Sequence, residues 1–70
     1  MALTETAEHL ITLLKGIGID LDTTQMVCAN LSEEEQIQMG KFIQQRYREK
    51  GEVTEEEILK VLMNLIKIRQ

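Results

Sequence analysis

The chain has 70 residues, a formal charge of −4 and just two aromatic side chains, Phe42 and Tyr47. That length supports one domain near the lower limit for a self-sufficient core, built from Leu, Ile, Val and Met, each contributing about 1.5–3 kcal/mol when buried. The acidic balance disfavours default affinity for nucleic acid or anionic membrane, and the single cysteine, Cys28, excludes an internal disulfide.

The opening Met1-Ala2-Leu3-Thr4-Glu5 has no basic lead and no unbroken apolar run. The longest apolar-rich stretch, Ile58 to Ile68, is interrupted by Lys60, Asn64 and Lys67 and is too short to span a bilayer. These features predict a cytoplasmic protein with residues 1–70 as a single helical domain; no proline, linker or low-complexity tract divides it.

Leu3, Ala7, Leu10, Ile11 and Leu14 fall on one helical stripe, with Thr4 as N-cap and Gly16 as stop, so a first helix is expected from about Glu5 to Lys15. Residues 16–22 alternate, with Ile17, Ile19 and Leu21 on one side, and read as a buried extended connector. Asp22 is the expected cap of a short second helix, with Gln25 as its return partner and Met26, Val27 and Ala29 as its buried side.

Ser32-Glu33-Glu34-Glu35 and Thr54-Glu55-Glu56-Glu57 each put a hydroxyl at an N-cap and a glutamate three residues on, the capping-box spacing. Gly51 supplies a left-handed stop between the two helices they open. Helix three then runs from about Glu33 to Glu49, burying Met39, Phe42, Ile43 and Tyr47, with Ile37 at the edge. Gly40 on that same side costs roughly 1 kcal/mol against alanine, which a close helix crossing would explain. The fourth helix, Glu55 to about Arg69, is apolar over more than half its circumference, with Glu57, Lys60, Asn64 and Lys67 as a narrow polar stripe. Such a helix must bury more than one side, either as the central helix or against another chain. A shift of 32 residues lays Leu10, Ile11, Leu21, Asp22 and Met26 on Phe42, Ile43, Val53, Thr54 and Ile58, a faint internal repeat. The expected fold is all-α: a compact four-helix bundle of two helix-loop-helix pairs, its second helix short and helices three and four its spine.

Over Arg46 to Glu57 the sequence is similar to the back half of an EF-hand calcium loop. Gly51, Val53 and Glu57 stand at the sixth, eighth and twelfth positions. Positions one, three and five are Arg46, Arg48 and Lys50, cations where calcium needs oxygen ligands, so the likeness extends to helix-loop-helix geometry and not to metal. Ile17 to Thr24 resembles the first motif of haloacid dehalogenase-type phosphatases, which implies Asp20 as nucleophile and Asp22 as acid/base. That family also needs a parallel sheet and two or three times this length, so a loop ending in a capping aspartate is the expected reading.

His9 has no second histidine or cysteine to share a metal and reads as solvated, while Cys28 reads as a small core filler. Lys41, Arg46, Arg48 and Lys50 complement the C-terminal end of helix three, at roughly 0.3–1 kcal/mol per charge. No residue pair has the spacing that acid/base, nucleophilic or metal chemistry requires, so no enzyme, cofactor or metal is expected. The expected function is a protein-protein interaction module that binds a second copy, a homodimer being the simplest form, or another protein through Leu59, Met63 and Ile66 of the last helix. The alternative is a small helix-turn-helix regulator of DNA, against which stand the three glutamates at the start of its recognition helix.

Overall fold

The computed structural model describes residues 4–69. Four helices follow in order: α1 (Glu5–Gly16), α2 (Leu21–Asn30), α3 (Glu33–Lys50) and α4 (Glu55–Arg69). The fold is the expected all-α bundle with a short second helix. Leu3, placed on the first apolar stripe, lies outside the described residues.

Three of the caps act where the residue spacing puts them. Thr4 Oγ1 accepts the Ala7 N–H at 3.1 Å. Ser32 Oγ accepts the Glu35 N–H while the Glu35 carboxylate takes the Ser32 N–H, a complete capping box. Thr54 Oγ1 accepts the Glu57 N–H at 3.2 Å, but the Glu57 carboxylate turns to Arg46. Val53 and Ile58, either side of that cap, are both buried and staple the entry to α4. Gly51 ends α3 at φ 77°, its N–H bonded to Tyr47 O.

The α1–α2 connection departs from expectation. Gly16 is the last residue of α1, and Gly18, at φ 91°, makes the left-handed turn. Gly18 N–H bonds Lys15 O and Ile19 N–H bonds Leu14 O, the paired bonds of a Schellman motif, with Leu14 and Ile19 both in the core. The chain is thus reversed by residue 19, and Asp20, not Asp22, caps α2 through the Thr23 N–H at 2.7 Å. Leu21 becomes the first residue of α2 and is 55% exposed, so no extended connector forms.

The buried stripe of α2 is Thr24 and Val27, not Met26 and Ala29, which are exposed. Thr24 is admitted because its hydroxyl donates to Asp20 O at 2.7 Å and so enters the core satisfied. In α3 the buried positions are Gln36, Met39, Gly40 and Ile43. Phe42 is half-buried, and Tyr47, beside Gly16 and Ile17 where α1 ends, is exposed.

The spine is α1 on α3 rather than α3 on α4: that pair makes the most extensive helix contact, with Leu10, Leu14, Met39 and Ile43 at its centre. Thr6 donates to Glu33, and residues along α1 meet their counterparts along α3 in the same order, so the two helices run parallel. The 32-residue repeat does not hold through both halves. It pairs exposed Leu21 and Met26 with buried Val53 and Ile58, whereas the capping residues Asp20 and Thr54 are 34 apart.

A Cβ at Gly40 would sit 3.5 Å from Leu13 Cδ1, an ordinary contact, so the crossing does not require the missing side chain. Gly40→Ala is therefore expected to stabilise the protein by up to about 1 kcal/mol through helix propensity. A raised urea midpoint with unchanged slope checks this; a lowered one means the crossing leaves no space for the methyl group.

Candidate interaction surface

Along α4 the apolar circumference is covered unevenly. Ile58 and Leu62 are buried; Leu59, Val61, Leu65 and Ile66 pack half-buried on the core; Met63 and Ile68 stand 59% and 80% exposed. Leu59, Met63 and Ile66 step by four and three residues along one flank, with Leu59 and Ile66 at the core edge and Met63 in solvent between them. Glu56 precedes this stripe by one turn and Lys67 closes it, both in solvent. The helix is peripheral, so the core satisfies only one of its apolar sides.

A second open surface lies between α1 and α3. Leu13, Ile17 and Ile43 form the floor of a groove of about 570 Å³, with Gln44, Tyr47 and Arg48 on its α3 wall. Toward the start of both helices the groove continues between His9 and Thr6 on one side and Ile37, Lys41 and Gln44 on the other. Ile37 and Tyr47 are 44% and 53% exposed along this wall. Reading α3 as burying Tyr47 hid this surface. The signal that could have found it is length, since α3 has 18 residues against the 12 of α1, which cannot cover all of it.

The residues considered for chemistry are spread apart by the fold. Asp20 is spent as the α2 cap, and the N–H and hydroxyl of Thr23 hold its carboxyl below the ordinary carboxylate range. Its capping role is thus intact at neutral pH and fades only as acid drives the pH through that lowered value. Asp22 is exposed in the first turn of α2. Cys28 borders a shallow groove between α1 and α2, and partial burial raises its pKa, which keeps the thiol protonated and poorly nucleophilic. His9 is exposed at the mouth of the α1–α3 groove. Among the described residues no group of three or more His, Cys, Asp or Glu side chains is placed to hold a metal ion.

The loop resembling an EF-hand is closed by its own charges. Arg46 Nε, at the first position, faces Glu57 Oε2, at the twelfth, across 3.5 Å. Those two atoms are shielded from water although their side chains are 34% and 24% exposed. The pair ties the late turns of α3 to the first turn of α4. A double-mutant cycle on Arg46→Ala and Glu57→Ala should give a coupling of about 0.5–1 kcal/mol that shrinks in high salt. Zero coupling at low salt means the contact holds nothing. A helix-turn-helix reading would use α2 and α3, and the first turn of α3 carries Glu33, Glu34 and Glu35. Glu33 accepts a hydrogen bond from Thr6, and Glu35 completes the capping box.

No helix among the described residues is long and apolar enough to cross a membrane. No family model matches this sequence, and neither curated proteins nor solved structures offer a match.

Proposed function

We propose that the protein is a non-enzymatic interaction module that self-associates through the outer flank of α4, in a reducing, cytoplasmic setting suited to its lone thiol. The observation that carries this is the Leu59–Met63–Ile66 stripe. Its ends, Leu59 and Ile66, rest half-buried at the edge of the core, and between them stands a methionine that is 59% exposed. In a domain of 70 residues with no tryptophan, covering that stripe adds apolar burial that the small core lacks. Methionine suits such a surface because its flexible thioether repacks against an incoming helix at little cost.

Sedimentation velocity across a concentration series tests the reading. Mass should rise with concentration toward the high micromolar range. Met63→Glu should return the chain to a monomer with unchanged helicity, since the position is exposed and outside the core. A strict monomer at high micromolar concentration, or association indifferent to Met63→Glu, overturns the proposal. DNA binding is the weaker reading, because the groove-facing end of α3 would present glutamates to phosphate.

A further inference from the structure

We infer that the surface receiving α4 is the groove between α1 and α3 of a second copy, so that the contact joins two different faces of the same chain. This rests on the self-association just proposed and names its missing half.

The two surfaces fit in chemistry and in length. The groove has an apolar floor in Leu13, Ile17 and Ile43, and the incoming stripe offers Leu59, Met63 and Ile66 at helical spacing, the arrangement by which an amphipathic helix fills a groove. From Glu5 to Ile17 the α1 wall spans about 18 Å, and Glu56 to Lys67 spans about 17 Å, at 1.5 Å per residue. Charge sets the direction. Arg48 stands at the late end of the groove, with Lys41 further along the same wall; Glu5 lies at the early end. Laid antiparallel to α1 and α3, the incoming α4 brings Glu56 to Arg48 and Lys67 to Glu5. The parallel orientation sets Glu56 beside Glu5 and Lys67 beside Arg48, and is repelled at both ends. The docked helix would cover Tyr47 and Met63, two of the largest exposed apolar side chains of the described residues.

A contact between unlike surfaces makes a demand that pairing of like surfaces does not: two defective copies can complement each other. Tyr47→Glu blocks the groove and leaves α4 intact; Met63→Glu blocks α4 and leaves the groove intact. Each variant alone should sediment as a monomer with the parent's circular dichroism, and an equimolar mixture should form a one-to-one complex. Arg48→Glu, a second groove variant at an exposed position, should weaken association about tenfold, and Glu56→Arg on the same chain should restore it. A mixture that stays monomeric, or a Tyr47→Glu chain that associates as the parent does, overturns the groove while leaving self-association through α4 standing. A parent chain that never associates removes both.

Discussion

Leu14→Ala should cost about 2–5 kcal/mol and leave the protein largely unfolded at room temperature. Leu14 has no exposed surface and lies where α1, α3 and the first loop meet. Its carbonyl accepts the Ile19 N–H of the Schellman turn, and its side chain shares the core with Ile19. Truncation therefore removes the apolar contact that accompanies the turn as well as the packing between helices. The surrounding side chains are aliphatic and already in place, so little can move in to close the cavity. A domain this small has only about 3–5 kcal/mol in reserve. Chemical denaturation followed by circular dichroism reads the effect, and melting should shift by about 4–8 °C for each kcal/mol lost. Met26→Ala, at an exposed position outside the proposed contact, is the matched control and should stay within about 0.5 kcal/mol of the parent. If Leu14→Ala loses no more than this control, the α1–α3 pair is not the centre of the fold.

What could be read from the sequence was mostly what is local. The Ser32/Glu35 box, the Thr4 and Thr54 caps and the Gly51 stop each depend on residues three or four apart, and each forms. The misreading at Gly16 has an equally local cause. Two glycines two residues apart both fit a helix end, and the choice between them falls to the residue that follows. Ile19 after Gly18 can fold back onto Leu14, whereas Ile17 after Gly16 is still held by an N–H bond to Leu13 O. Once Gly18 makes the turn, the cap moves from Asp22 to Asp20 and Leu21 moves into solvent.

Burial along α3 was not local and could not be read from periodicity. Tyr47 has the phase of a core residue, yet it stands at the open groove beside Gly16 and Ile17, where α1 ends, and is left 53% exposed. Gln36 has the composition of a surface residue and is buried because of backbone carbonyls at the end of another helix. The width of the apolar face of α4 was evident from its residues, but the residues did not reveal that the helix would sit at the edge of the bundle. That placement turns excess apolar surface into a candidate interface, and the uncovered flank of α3 that carries Ile37 and Tyr47 forms one wall of the second surface.

Gln36→Glu should destabilise the protein by about 3 kcal/mol or more at neutral pH, with a deficit that shrinks in acid. The Gln36 amide is buried to 8% exposure and donates to Cys28 O at 3.1 Å and Leu31 O at 3.3 Å. These carbonyls end α2, where no following turn supplies their N–H partners. A carboxylate there would be desolvated and would face two acceptors with no proton to offer. Both effects raise its folded-state pKa above the ordinary glutamate value of about 4.3. The sign follows. Relative to the parent, the deficit is smallest below that unfolded value, where the protonated acid can still donate one bond. It grows as the pH rises and levels off above the raised folded value. Gln36→Leu removes the donors without adding charge, so it should cost about 1–3 kcal/mol with no pH dependence of its own. Comparing both variants with the parent by denaturation at several pH values separates lost bonding from buried charge. Hydrogen exchange at the last turn of α2 should quicken in both. Parallel pH profiles for the two variants would mean that the position 36 side chain swings out to water, and that α2 is closed by some other contact.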